Sequence, residues 1–181
     1  MFKTFRFRMY PDDNQIVLIH KTFGCYRFIY NHFLSICKDN GFRNAFDMIK
    51  ELPNLNNKYE WLKEVDKFAL TNAIYNMDSA YQKFFREHAG YPKFKSKHNY
   101  YKSYTTNYTN GNITVNYENG KIKLPKLKGV KAKLHRNFSG QIKSATVSQV
   151  SSGKYYVSIL VETEHKELAH TNHNIGIDLG I

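Results

Sequence analysis

The clearest candidate for chemistry in this sequence is a single carboxylate near its end, Asp178. Apolar residues and glycines surround it in the stretch 175–181, which predicts a buried strand that presents the carboxylate near its tip. A buried carboxylate is unfavourable unless it is paired or binds a metal. The pattern therefore predicts Asp178 as a metal ligand, positioned by the elements that precede it.

The charge balance of the chain indicates a polyanionic partner. The 181 residues include 27 Lys and Arg against 15 Asp and Glu, a formal net charge of +12. Proteins this basic typically bind nucleic acid or an anionic membrane. No apolar run approaches the roughly 20 residues of a membrane span, and the first residues lack the apolar segment of a signal peptide. We therefore expect a nucleic-acid partner and no membrane.

Most of the positive charge lies in one third of the chain. Residues 86–143 contain 13 Lys and Arg but only two acids, Glu87 and Glu118. Unopposed charge of this density is unfavourable in a folded region unless a polyanion neutralises it. The same region is rich in tyrosine, whose ring can stack on bases. This region is the predicted nucleic-acid-binding part of the sequence.

Cysteine and histidine predict no metal centre. Cys25 and Cys37 form no Cys-x-x-Cys pair, so we expect them to be small buried residues of a helix. His170 and His173 lie in a polar stretch without further ligands nearby, and we expect them at the surface.

The first 90 residues predict one strand followed by helices. Residues 5–9 alternate apolar and basic side chains, which predicts a strand with one basic, exposed face. Asp12 and Gln15 form a capping-box pattern at the start of a helix. Gly24 is predicted to end that helix or to make a tight turn before a second helix up to residue 40, a helix-turn-helix-like arrangement. A short helix at 44–52, a loop at 54–58 and a long helix at 67–88, capped by Gly90, follow.

The middle of the chain predicts a small β domain. Short strand patterns occur at 103–108, 113–117, 121–124, 130–134, 142–150 and 155–161. Asn119-Gly120 and Ser152-Gly153 are typical of hairpin turns. The fold class predicted is α+β, with a small twisted β-barrel or sandwich, and with residues 162–174 as a polar linker.

Several motifs in order resemble one family. They are Tyr91-Pro92-Lys93-Phe94-Lys95-Ser96-Lys97, Ser103-Tyr104-Thr105-Thr106, Ile122-Lys123-Leu124-Pro125-Lys126-Leu127, Ser152-Gly153-Lys154-Tyr155-Tyr156-Val157-Ser158 and Gly176-Ile177-Asp178-Leu179-Gly180. Together with the opening strand and the helix at 21–31, they resemble the TnpB (OrfB) proteins of bacterial insertion sequences. These proteins have long been labelled transposases, and they act as RNA-guided DNA endonucleases similar to type V CRISPR effectors. The resemblance implies a bacterial cytoplasmic, nucleoid-associated protein.

The resemblance implies a division of the chain. Residues 1–10 and 91–164 resemble a wedge-like barrel that binds guide RNA, and 11–90 resemble an inserted helical recognition domain. Residues 165–174 correspond to a linker. Residues 175–181 correspond to the first strand of an incomplete RuvC-like nuclease domain with an RNase H fold. The implied partners are a guide RNA derived from the transposon end and double-stranded DNA carrying a target-adjacent motif.

The resemblance also implies the role of Asp178. It matches the first catalytic carboxylate of the family, which binds Mg²⁺ together with a second Glu and a third Asp. Those acids, and the family's zinc ribbon, do not follow in this sequence. One carboxylate cannot organise a two-metal site, so we expect no cleavage and no bound Mg²⁺ from this chain alone. A truncated copy, or half of a split gene with a separately encoded nuclease fragment, would explain this.

The residues predicted to contact nucleic acid fall in two groups. Along the helix at 67–88 and the Ser-Tyr-Thr segment, the resemblance implies contacts to target-adjacent DNA by Lys67, Thr71, Thr105 and Thr106. The basic β region contributes phosphate-binding and stacking candidates, namely Lys93, Lys95, Lys97, Tyr104, Lys126, Lys131, Lys133 and Arg136.

Two other functions remain open at this point. A helix-turn-helix regulator would bind duplex DNA without RNA. A sugar-kinase-like or heat-shock-type ATPase would share Gly-Ile-Asp-Leu-Gly, but no phosphate-binding glycine loop follows it here.

Overall fold

The computed structural model describes residues 1–164 and Gly176. The predicted linker and closing strand, with Asp178, His170 and His173, lie outside the described residues, apart from the exposed Gly176. The predicted domain boundaries therefore stay predictions.

The chain opens with strand β1 (Phe2–Tyr10) and the long helix α1 (Asp13–Asn40). The predicted capping box is confirmed: the Gln15 amide donates to Asp12 Oδ1 at 2.9 Å, and the Asp12 amide donates to Gln15 Oε1 at 3.1 Å. These two bonds satisfy amides that the first helical turn leaves unpaired, and they fix where the helix begins.

The predicted break at Gly24 is wrong, because α1 continues through it. A glycine inside a helix costs only about 1 kcal/mol relative to alanine. The buried stripe on both sides of Gly24, which includes Ile19, Phe23, Ile29 and Phe33, packs as one surface. Tertiary burial therefore outweighs the local weakness. Cys25 and Cys37 are buried, unpaired thiols on the same helix, as predicted.

The rest of the helical region is α2 (Ala45–Ile49), α3 (Leu52–Lys58), a 3-10 turn (Glu60–Glu64) and α4 (Lys67–Glu87). The predicted loop at 54–58 is wrong, because Leu52 and Leu55 are buried and anchor a helical turn. The long helix is confirmed, but its cap is His88 in the left-handed conformation, with φ of 52°, and not Gly90.

Six further strands complete one antiparallel sheet with β1. They are β2 (Lys102–Asn107), β3 (Thr114–Asn116), β4 (Lys121–Lys123), β5 (Gly129–Lys133), β6 (Gln141–Gln149) and β7 (Tyr155–Glu162). The strand order is β2-β6-β7-β1-β5-β4-β3. The helices are therefore inserted in the chain between β1 and β2, and β1 lies at the centre of the sheet.

The sheet of the described residues is not closed into a barrel, so the predicted small twisted barrel is not confirmed. Strands β2 and β3 form its two edges and do not pair with each other. Helix α4 packs along the edge strand β2, where the Asn72 side-chain amide donates to the Thr105 carbonyl at 2.9 Å. A side chain of the helix thus satisfies a carbonyl of the edge strand, and strand pairing is not needed there.

One face of the sheet is buried. Alternate residues Phe7, Met9, Val157 and Ile159 form part of the core, and the Phe138 ring packs against that of Phe5 with centroids 4.9 Å apart. Helix α1 covers the β2 side of this face through Phe23, whose ring lies 5.7 Å from that of Tyr104. Because strand side chains alternate, the intervening residues form the opposite face.

Candidate nucleic-acid interface

The opposite face of the sheet carries a row of cations at its centre. Arg8 of β1 is in register with Lys133 of β5 on one side and with Tyr156 of β7 on the other. A second row runs from Tyr10 to Lys131 and then to Lys121 of β4. The alternation seen in the sequence therefore continues across strands, and we call these residues with Arg6 the basic sheet face.

Tyrosine rings hold the two arginines of this face. The Arg6 guanidinium carbon lies 4.2 Å from the centroid of the Tyr156 ring, and that of Arg8 lies 5.0 Å from the Tyr10 ring. An arginine stacked in this way loses little further freedom when its N–H groups bind an anion. The arrangement is thus suited to bidentate binding of phosphate.

The basic sheet face is poorly neutralised by the protein itself. Among the described residues, none of its cations lies within ion-pair distance of an acid, and the four pairs found involve other residues. Glu162 lies on this side of β7 but at its far end, where Lys143 Nζ approaches its carboxylate to 2.6 Å. A shallow groove of about 530 Å³ is lined by Arg6, Arg8, Lys133, His135 and Tyr156.

The predicted site residues are only partly brought together. Lys131 and Lys133 lie on the basic sheet face, and Arg136 is exposed just beyond the end of β5. Lys126 lies in the turn between β4 and β5 with a φ of 62°, beside the start of α1. Lys93, Lys95 and Lys97 lie in the segment after α4, away from this face.

The four residues implied to contact target-adjacent DNA lie where α4 meets β2. Thr71 donates its hydroxyl to the Lys67 carbonyl at 3.2 Å, while Thr105 shares a hydrogen bond of 2.8 Å with Thr146. The next residue of α4, Asn72, bonds both the Thr105 carbonyl and, at 3.2 Å, Asn107 Oδ1. The structure therefore places Lys67, Thr71 and Thr105 around one corner.

Two predicted contact residues are corrected by their burial. Tyr104 is 4% exposed and Thr106 is 1% exposed, because their side chains point to the core face of β2. Burial, together with the Asp66 carboxylate, raises the pKa of Tyr104 well above its ordinary value. Neither side chain can touch nucleic acid in this structure.

Thr106 supplies a direct test of that correction. Its buried hydroxyl has no hydrogen-bond partner among the described residues, and such a group costs about 1–3 kcal/mol. Thr106→Val should therefore leave the free energy of unfolding unchanged or raise it by about 1 kcal/mol, and leave RNA affinity unchanged. Urea unfolding and fluorescence anisotropy measure the two quantities. A tenfold loss of RNA affinity at unchanged stability would contradict the correction.

Sequence analysis missed the centre of the interface as a site. Arg6, Arg8, Tyr10 and Tyr156 were not among the predicted contact residues, although the alternation at 5–9 indicated an exposed basic face. The missing information was strand order, which places β1 between β7 and β5. Only that order brings Lys133 and Tyr156, which lie about 125 and 150 positions later in the sequence, next to Arg8.

The described residues contain no group of three or more His, Cys, Asp or Glu that could hold a metal ion. Within the same part of the chain, no helix has the length and apolarity to cross a membrane. Asp178 lies outside the described residues, so its predicted role as a metal ligand stays a prediction.

The α+β fold and the basic sheet face are typical of a protein that binds a polyanion, and comparisons with known proteins relate the chain to insertion-sequence proteins. A family model described as a helix-turn-helix domain, that of OrfB proteins of IS605-type insertion sequences, matches residues 1–41. The chain is 28% identical over 188 residues to "Putative RNA-guided DNA endonuclease InsQ" of Escherichia coli (strain K12), covering 99% of this chain and 45% of that protein.

Two further relatives are similar to this chain. A "Putative RNA-guided DNA endonuclease" of Streptomyces pristinaespiralis is 27% identical over 190 residues, which cover 99% of this chain and 46% of the relative. The "Virulence protein VsdF" of Salmonella dublin is 32% identical over 114 residues, which cover 54% of this chain and 96% of the relative. The chain belongs to the TnpB/OrfB family of insertion-sequence proteins, and it spans about half the length of the two endonuclease relatives.

Proposed function

We propose that residues 1–181 are the nucleic-acid-binding part of a TnpB-like RNA-guided DNA endonuclease, with the basic sheet face as the guide-RNA-binding surface. The observation that carries this proposal is the pair of rows across the sheet, in which Arg8, Lys131 and Lys133 lie beside Tyr10 and Tyr156 without acidic partners among the described residues. Cations neutralise phosphates and tyrosines stack on unpaired bases.

The α4–β2 corner is the proposed contact to the target-adjacent duplex. Lys67 is exposed at the first turn of α4 and can bind a phosphate, whereas Thr71 and Thr105 are half-buried. Phosphate contacts set the register of a protein on DNA, and hydroxyls can then hydrogen-bond base edges. The hydrogen bonds of Asn72 to β2 keep helix and strand in a fixed relation.

For cleavage, we propose that Asp178 acts only with carboxylates supplied by a nuclease segment, as the family pattern implies. Asp178 and those carboxylates would hold Mg²⁺, which would supply polarisation of the scissile phosphate and activation of water. Residues 1–181 are therefore expected to bind without cutting. Mg²⁺-dependent cleavage should appear when a separately expressed nuclease fragment of the family is added, and should be abolished by Asp178→Asn.

The binding proposal is tested by measuring affinity as a function of salt. The probes are a structured RNA transcribed from the DNA that flanks the gene and a duplex DNA of the same sequence. We expect RNA affinity to fall about 100-fold or more between 50 and 200 mM KCl, because several phosphate contacts each add to the salt dependence. Salt-independent RNA affinity would contradict the proposal.

A DNA-only regulator is the second candidate, favoured by the helix-turn-helix description of the family model matched at residues 1–41. The continuous helix α1 does not show the two-helix arrangement expected of such a protein in this region. Tight, sequence-specific binding of the duplex without RNA would favour this candidate over the first.

A further inference from the structure

A second cationic site lies away from the basic sheet face, in a pocket between α1 and the segment 95–103. The pocket has a volume of about 280 Å³ and is lined by three cations, Arg27, Lys95 and Lys102. Lys102 lies on the face of β2 that carries Tyr104, opposite the face with Arg6 and Arg8. The two cationic sites therefore cannot be one continuous surface on the sheet.

The charge of this pocket is unbalanced. None of its lining residues is acidic, and none of its three cations takes part in the ion pairs found among the described residues. Lys95 Nζ lies 4.4 Å from the Tyr30 ring centroid and 5.7 Å from that of Tyr26. Burial lowers the pKa of Lys95, which is the expected cost of a cation without an anionic partner.

The wall of the pocket is held in place by hydrogen bonds. Asn31 of α1 donates its side-chain amide to the Lys95 carbonyl at 2.9 Å and accepts from the Lys95 amide at 2.8 Å. Further along, Ser96 Oγ accepts from the His98 amide at 3.1 Å, and Asn99 Oδ1 accepts from the Tyr101 amide at 3.2 Å. A ligand would thus meet a preorganised site, which reduces the entropy lost on binding.

We propose that this pocket binds one nucleotide, with its phosphate at Arg27 and Lys102 and its base against Tyr101. The volume approaches the lower end of the range for small-molecule sites, about 300 Å³. Tyr101 is 54% exposed and lines the opening, so its ring is available for stacking. Phe23 contributes an apolar side chain to the lining. The inference extends the proposed nucleic-acid binding, and the nucleotide can be either one residue of a strand or a free mononucleotide.

The test compares pocket variants with a control variant outside both cationic sites. The full chain is titrated by calorimetry with three kinds of ligand: the four ribonucleoside 5′-monophosphates, a single-stranded pentaribonucleotide, and inorganic phosphate. Arg27→Gln and Lys102→Gln each remove one charge from the pocket, and the control Lys38→Gln removes one from an exposed position in the last turn of α1. Thermal unfolding of each variant checks that the fold is retained.

We expect Arg27→Gln and Lys102→Gln to weaken mononucleotide or pentamer binding at least tenfold, and Lys38→Gln to leave both affinities unchanged. Binding of the pentamer alone would identify a nucleotide within a strand as the ligand. Tyr101→Phe should retain affinity and Tyr101→Leu should lose it.

Two results would overturn the inference. The first is that substitution of Arg27 and Lys102 changes the affinity for neither the mononucleotides nor the pentamer. In that case the proposed function would still stand if structured RNA bound in a salt-dependent way and Arg8→Gln weakened that binding. The second is equal affinity for inorganic phosphate and mononucleotides, which would show that the base makes no contact.

Discussion

The double substitution Arg6→Gln and Arg8→Gln is expected to weaken binding of structured RNA about 100-fold, since each charge-assisted contact to phosphate is worth about tenfold or more in affinity. Both side chains lie on the basic sheet face and are held by the Tyr156 and Tyr10 rings. Two fewer phosphate contacts should also reduce the slope of log affinity against log salt by roughly 2. Fluorescence anisotropy across a salt series measures both quantities.

Matched variants distinguish the effect of charge position on RNA affinity from the effect of net charge. Lys38→Gln and Lys63→Gln also remove two charges, but from exposed positions of the helical region, so they should change RNA affinity only about twofold through the general field. Arg6→Lys with Arg8→Lys keeps the charge and should retain most of the salt slope while losing the stacked, bidentate geometry. Equal losses in the two glutamine pairs would show that the sheet face is not the binding surface.

Gly140→Ala is expected to destabilise the fold by about 3 kcal/mol, combining backbone strain with a steric clash. Gly140 has a φ of 126°, and a Cβ there would lie 2.2 Å from the Glu162 carbonyl oxygen. Because a backbone atom cannot rotate away, the start of β6 would have to separate from the end of β7. That junction also positions Lys143 against Glu162. A loss of this size should lower the melting temperature by roughly 6–12 °C.

Gly153→Ala is the matched control. Gly153 has a φ of 75°, but a Cβ added there would have no atom within 4 Å other than those of its chain neighbours. Backbone strain alone should cost about 1–2 kcal/mol. Chemical denaturation of the two variants under the same conditions measures the difference, and an equal or smaller loss for Gly140→Ala would contradict the predicted clash.

Local patterns alone were sufficient for several elements. The alternation at 5–9 predicted β1 and its basic face, because strand side chains alternate irrespective of their neighbours. Asp12 and Gln15 predicted the start of α1 through bonds that span only three residues. Asn119-Gly120 lies between β3 and β4 as predicted, with Gly120 at a φ of 59°. Each of these signals depends on residues close together in sequence.

The candidate site depended on information that is not local. The sequence identified Lys131 and Lys133 as cations, but only strand pairing placed them beside Arg8 and Tyr10. Tyr104 was predicted as a contact from its residue type and Thr106 from the family resemblance, whereas both side chains are buried on the core face of β2. A motif gives residue types in order, and it does not state which face of a strand meets the core.

Tertiary packing also decided the continuity of α1 and the openness of the sheet. Gly24 is a local weakness, and the buried stripe around it outweighs that weakness. The number of strands would permit a barrel. The sheet is nevertheless open, because α4 packs against the edge strand β2 and Asn72 bonds its Thr105 carbonyl. By itself, the sequence determined the family resemblance, the excess of positive charge and the periodic elements, because residue order, charge and periodicity are properties of the chain. The structure alone decided which cations share a surface, because that follows from strand order and packing between distant segments.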